Sequence, residues 1–288
     1  MKHKLAIVGI FYDGYYDVWE DFLELLQQKW PDCPYTIYIV NGTKELGFEK
    51  SYPVSVLHAG SDAEYSRKVQ MALKEIDAEY YLLLLEDFFF ERHPAQDKIK
   101  QYVDAMPTNK VDYIRFPMPE FISHNATRHF PLDPETGLYR IPSSSEYTVS
   151  CQPSLWSREF LRSCIGQGNY NAWVFEGMYT YSKTAHSPEF LEKCRVDFSN
   201  PLGLRHGAVQ GKMLPNVYAD FEKQGYTFKN RREVLAGGAY RKHLLKNRMK
   251  SVIPKPFQPM IRKVTASQSV VDRYKDEILR QMQENGLK

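Results

Sequence analysis

The chain has 288 residues, 43% hydrophobic and 25% charged, which is enough length and apolar content to bury a sizeable core and excludes an unfolded polymer. Its four cysteines, Cys33, Cys151, Cys164 and Cys194, lie far apart without C-x-x-C spacing, which argues against a zinc site or a disulfide framework and suits a reducing compartment. The formal net charge of +3 hides an asymmetry, because basic side chains crowd between Lys229 and Lys263, where Glu233 is the lone acid.

Lys4 to Ile10 predicts a first buried strand; its apolar run is too short for a typical signal peptide, and no stretch approaches the ~20 apolar residues of a membrane span. Asp17-x-x-Glu20 resembles a capping box for a helix carrying Val18, Phe22, Leu25 and Leu26, which Pro31 ends. Tyr35 to Val40 and Val54 to Leu57 predict two more strands. Ser61-x-x-Glu64 is a second capping box, opening a helix whose buried face is Tyr65, Val69, Ala72, Leu73 and Ile76.

That helix leads into Tyr80 to Leu85, an apolar run without polar interruption, as expected of a strand covered on both faces. Two adjacent acids, Glu86 and Asp87, follow it. Carboxylates past the carboxyl end of such a strand stand where open α/β sheets bind ligands, and they can hold a divalent cation and through it a diphosphate. Acids in this position can equally mark a strand end and face water. A further helix, Gln96 to Met106, and a strand, Val111 to Phe116, complete an alternating order that predicts a mostly parallel, Rossmann-like sheet flanked by helices.

No G-x-G-x-x-G or G-x-x-x-x-G-K-[ST] sequence is present, so dinucleotide and P-loop chemistry have no support. Pro117 to Ser145 breaks into a long loop, of the kind that is commonly functional. Order returns with a strand over Tyr147 to Trp156, a helix capped by Ser157, a second helix starting at Trp173-Val174-Phe175-Glu176, a strand over Cys194 to Phe198, and a Gly-rich basic stretch from Gly203 to Lys212.

This order of segments resembles a GT-A type glycosyltransferase of the kind that builds bacterial surface polysaccharide such as lipopolysaccharide or capsule. The resemblance rests on Val8-Gly9-Ile10, on Leu82 to Phe90 with Glu86-Asp87, on Gln152-Pro153-Ser154-Leu155-Trp156 and on Trp173-Val174-Phe175-Glu176, and it covers roughly residues 5 to 215. It implies that the acid pair stands in for the family's D-x-D, although Phe88 replaces the second Asp. By the same resemblance Asp87 and Glu86 are the metal ligands, with Mn²⁺ or Mg²⁺ as cofactor, and His206 completes the metal shell.

Glu176 is by analogy the general base that takes the acceptor proton, with Trp173 and Phe175 as apolar walls. Lys212 would close over the diphosphate. Arg67 and Lys68, near the N-terminal end of their helix, are expected either to reach phosphate or to stand in solvent, solvent being favoured for Lys68, and Asp62 is a candidate contact to uridine or ribose. The expected reaction moves a sugar from a nucleotide sugar, a UDP-sugar by preference, to a polysaccharide or lipid-linked glycan. The alternatives are a sugar-phosphate nucleotidyltransferase and a non-catalytic carbohydrate- or lipid-binding protein.

Residues 1–228 are expected to form the catalytic domain and residues 229–288 a basic, mainly helical extension. The mixture of cations and apolar residues in 229–263 suits an anionic membrane surface, and no recognition motif for nucleic acid accompanies it. The expected location is cytoplasmic, with a peripheral position on the inner face of the cell membrane as an option. Val271, Tyr274, Ile278, Leu279 and Met282 recur at helical spacing, for packing on the core or on another subunit.

Overall fold

The computed structural model describes residues 3–47, 51–119, 122, 126–145, 147–209, 211–238 and 273–288. The first half alternates strand and helix: β1 (His3–Ile10), α1 (Trp19–Lys29), β2 (Thr36–Asn41), β3 (Val54–His58), α2 (Tyr65–Glu75), β4 (Ala78–Leu84), β5 (Phe88–Phe90), α3 (Gln96–Ala105) and β6 (Tyr113–Arg115). The second half adds β7 (Leu132–Asp133), β8 (Leu138–Arg140), β9 (Ser154–Ser157), α4 (Arg158–Ile165), α5 (Ala172–Tyr181), α6 (Pro188–Glu192) and β10 (Cys194–Val196). Then come β11 (Leu204–His206), β12 (Ala208–Val209), β13 (Lys212–Met213), α7 (Val217–Lys223) and α8 (Lys275–Glu284).

A 9-stranded sheet in the order β3-β2-β1-β4-β9-β6-β10-β8-β7 forms the centre. All of its strands except β9 and β8 run in one direction, so the expected mostly parallel α/β architecture is the observed one. Helices cover both faces because β1 is apolar from Leu5 to Ile10 and β4 from Tyr80 to Leu84. Leu5, Ile7, Leu82 and Leu84 face a core shared with Trp19 and Phe22 of α1 and Ile99 of α3. Ala6, Val8, Tyr81 and Leu83 face the opposite core with Val69 of α2, Phe160 of α4 and Phe175 of α5. Burying one such aliphatic or aromatic side chain stabilises the fold by ~1.5–3 kcal/mol, so this pair of strands anchors both layers.

Several local expectations change. Neither capping box forms: the N-caps of α1 and α2 are Val18 and Glu64, without a side-chain cap, and Asp17 is engaged instead by Arg232. Ser157 does cap α4, accepting the Phe160 N–H. Of the 147–156 stretch only residues 154–156 are strand, as the start of β9, and the supposed loop 117–145 contributes β7 and β8 to the sheet edge. Packing also crosses the boundary drawn at residue 228. Lys229 N donates to Asp21 Oδ1 at 2.9 Å, and Ile278 and Met282 of α8 are buried with α5. Much of the basic stretch, residues 239–272, lies outside the described residues, and so does the proposed membrane contact there. No helix among the described residues is long and apolar enough to cross a membrane.

Candidate functional site

The parallel registers Gly9↔Leu84, Ile10↔Val40 and Asn41↔His58 bring the carboxyl ends of β1 to β4 to one edge of the sheet. Glu86 and Asp87 emerge there, as expected. Neither faces open water: Glu86 is 5% exposed and the Asp87 side chain 14%. Burial and the neighbouring Asp87 charge push the Glu86 carboxyl up to about 8, against hydrogen bonds from the backbone of Glu86 and Tyr12 and the charge of Lys68.

β5 was not foreseen in the sequence. Three consecutive phenylalanines, all buried, pair antiparallel with β11, and the register His206↔Phe88 sets the His206 ring against the acid pair. His206 Nε2 lies 3.4 Å from Asp87 Oδ2. Gly207 N donates to the Asp87 carbonyl at 2.7 Å, a close approach that needs glycine, since a Cβ would stand 2.2 Å from the Phe89 ring. Among the described residues Asp87 Oδ1, which is buried, has no hydrogen-bond partner, a costly state for a carboxylate oxygen unless something else occupies it.

Lys68 is a cation beside the acids, and the expectation that it is solvated is overturned. Arg67 is exposed, whereas Lys68 is 4% exposed and its Nζ donates to the Phe11 carbonyl at 2.9 Å. Burial lowers the Lys68 pKa, against the opposing charges of Asp13, Glu86 and Glu64. The sequence held a signal for this, because position 68 falls on the same helical face as Tyr65 and Ala72. Asp13, also missed, accepts the backbone N–H groups of Gly42 at 2.7 Å and Thr43 at 2.9 Å and ties the carboxyl end of β1 to that of β2. Tyr15 stands near the acids. Burial and the charge of Asp87 push its hydroxyl up to about 12.

Glu176 is partly buried on α5, whose N-terminus is capped by Asn171 accepting the Val174 N–H at 3.1 Å. Its Oε1 accepts the Cys151 N–H at 2.9 Å. β9 pairs Ser154 with Leu83 antiparallel, so the chain before Ser154, which Glu176 bonds at Cys151, runs toward the end of the sheet at which β4 stops. Burial raises the Glu176 carboxyl, opposed by the Cys151 hydrogen bond and the charge of Arg115. The expected aromatic walls are absent: Trp173 is 42% exposed, and Phe175 is buried against Tyr65 and Trp156.

Lys212 is paired with Glu233 Oε1 at 2.5 Å at the surface. Asp62 is exposed, and its carbonyl accepts Asn169 Nδ2 at 2.9 Å. Among the described residues no three His, Cys, Asp or Glu side chains converge as a metal cage, so Glu86, Asp87 and His206 do not form a complete shell by themselves. The donor set still fits a hard divalent cation. Mg²⁺ is typically held by one or two carboxylates plus substrate phosphates, and Asp87 Oδ1 is a buried acceptor lacking a partner.

No family model matches this chain, and no curated protein matches it by sequence. Solved structures resemble it at low identity. TarS of S. aureus is 10% identical with a TM-score of 0.45 over 97% of this chain, which spans 42% of the TarS chain. The mannosyltransferase PcManGT from Pyrobaculum calidifontis, in complex with GDP-Man and Mn²⁺, is 11% identical with a TM-score of 0.43, covering 99% of this chain and 85% of that one. A CMP:2-keto-3-deoxy-manno-octonic acid synthetase complexed with CTP is 11% identical with a TM-score of 0.43, covering 77% of this chain and 96% of that one.

Proposed function

We propose that the chain is a glycosyltransferase that moves a sugar from a nucleoside-diphosphate sugar, by preference a UDP-sugar, to a hydroxyl of a surface-polysaccharide or lipid-linked glycan acceptor. The observation that carries this reading is the sequestered acid pair at the carboxyl end of β4, with one Asp87 oxygen facing His206 and the other lacking a partner. Asp87 and His206, with Glu86 behind them, would hold a divalent cation, whose chemistry is to neutralise the diphosphate as it leaves. Lys68 places a second positive charge beside the acids from within the protein.

In the transfer, the acceptor oxygen forms a bond to the anomeric carbon while the bond from that carbon to the diphosphate oxygen breaks. The electron pair departs with the nucleoside diphosphate. Glu176 takes the acceptor proton, and its raised pKa suits a base working near neutral pH. This assignment corresponds to inversion at the anomeric carbon.

The test is a panel of UDP-, GDP- and CMP-sugars with and without Mn²⁺, followed by thermal stability and by release of nucleotide. A donor that binds only the folded state raises the melting temperature. Asp87→Ala is expected to abolish turnover without unfolding the chain, and Glu176→Gln to keep donor binding and lose transfer. Full activity in Asp87→Ala contradicts the reading. Release of pyrophosphate instead of nucleoside diphosphate would make the protein a nucleotidyltransferase.

A further inference from the structure

Arg232 makes more directed contacts than any role in packing requires, and none of the chemistry above uses it. Its guanidinium lies 3.9 Å over the Tyr15 ring. It grips Asp17 with two nitrogens, the Nε–Oδ2 distance being 2.8 Å, and donates to the Gly14 carbonyl at 2.9 Å and the Gly211 carbonyl at 3.1 Å. The Gly211 N–H in turn donates to the Tyr15 hydroxyl at 2.8 Å. Gly211 has φ +83°, a left-handed conformation that presents both its N–H and its carbonyl to this pair. The Arg232 side chain is 12% exposed and Asp17 36%, so these charge-assisted bonds are partly shielded from water.

Two elements meet at this point. One is the segment after β1, from Gly14 to Asp17, beside the buried acids. The other is the β12–β13 hairpin, which starts immediately after His206 and after the Gly207 that bonds the Asp87 carbonyl. The chain following Arg232 then runs along β13: Met213 N donates to the Glu233 carbonyl at 2.9 Å and Leu235 N to the Met213 carbonyl at 2.8 Å. Arg232 is thus the cross-link between the hairpin and the opposite wall of the acid site.

We propose that Arg232 is a positioning residue for donor binding, locking the β12–β13 hairpin to the segment after β1 through Tyr15, Asp17 and Gly211, so that His206 and Asp87 are held in place before the donor arrives. The proposal rests on the glycosyltransferase reading of the site. Preorganisation of this kind acts on binding, because the ordering cost is met before the ligand enters.

The test uses the full chain in three variants, Arg232→Gln, Arg232→Lys and Tyr15→Phe, the last deleting a single hydroxyl and so keeping the test alive if the arginine variants misfold. Two measurements are made: hydrogen–deuterium exchange at the Gly211 amide without ligand, and steady-state hydrolysis of UDP-, GDP- and CMP-sugars. Exchange at Gly211 is expected to accelerate in Tyr15→Phe and Arg232→Gln. KM for the donor should rise about tenfold in Arg232→Gln while kcat falls by a smaller factor. Arg232→Lys should recover little, since an ammonium cannot reproduce the forked grip on Asp17. Unchanged Gly211 exchange in Tyr15→Phe and Arg232→Gln overturns the lock. Accelerated exchange with an unchanged KM overturns its role in donor binding. A wild-type protein that responds to no nucleotide overturns the functional reading itself, and the donor role with it, while the exchange data still decide the lock.

Discussion

Glu86 and Asp87 set two carboxyl groups side by side in a region from which water is largely removed, where repulsion between their ionised forms is stronger than in bulk solvent. Folding therefore works against the ionised form of Glu86, and the charge of Lys68 and backbone N–H groups offset this in part. Glu86→Gln keeps the shape and removes the charge. It is expected to raise the melting temperature, by about 2–4 °C for each kcal/mol relieved in a chain of this size, while turnover falls. A melting temperature at or below that of the wild type would show that Glu86 is already fully compensated. The same residue scale separates Arg67 from Lys68. They are adjacent in sequence, yet a helix turns ~100° per residue, and that rotation sends one guanidinium to solvent and one ammonium into the site.

Among the elements, α5 carries Glu176 and is held from behind by α8. Ile278 of α8 is fully buried, Met282 nearly so, and the chain end returns to donate from Lys288 N to Thr184 Oγ1 at 3.2 Å. α8 thus packs as part of the core, the first of the two roles its apolar spacing allowed. Ile278→Ala leaves a cavity behind α5 and is expected to cost about 2–5 kcal/mol, measured by chemical unfolding. A loss under half of one kcal/mol would mean that α8 is docked only loosely. Because α5 positions Glu176, transfer should weaken more than donor binding in that variant.

Across the whole molecule, buried carboxylates at the far side of the sheet set the acid limit of stability. Burial alone would raise Asp133, but the hydrogen bond and charge of Arg195, at 2.7 Å, together with Arg140 hold it below the usual carboxylate range. Asp197 behaves alike: burial is outweighed by hydrogen bonds from Tyr102, Ser199 and Lys98. Both groups bind protons more tightly when unfolded, so the unfolded chain carries more protons at acid pH. Their stabilisation is present above about pH 4 and is lost as pH falls through the lowered folded values. Melting temperatures taken downward from pH 6 should fall steeply below that point, and a flat profile would contradict the assignment.

The local pattern of side chains determined a good deal without any structure. Unbroken apolar runs in 5–10 and 80–85 fit strands covered on both faces, so the alternating α/β sheet and the place of Glu86 and Asp87 at its edge were legible. What could not be read there depends on chain segments far apart in sequence. The pairing of Phe88–Phe90 with Leu204–His206, which brings His206 to Asp87, is a matter of strand register between remote segments. So are the partnership of Lys212 with Glu233 and the grip of Arg232 on Asp17, which displaced a capping box that looked complete. Burial periodicity is written residue by residue, whereas the choice of partner for a charge is made only when the folded chain removes water from one pair and leaves it around another.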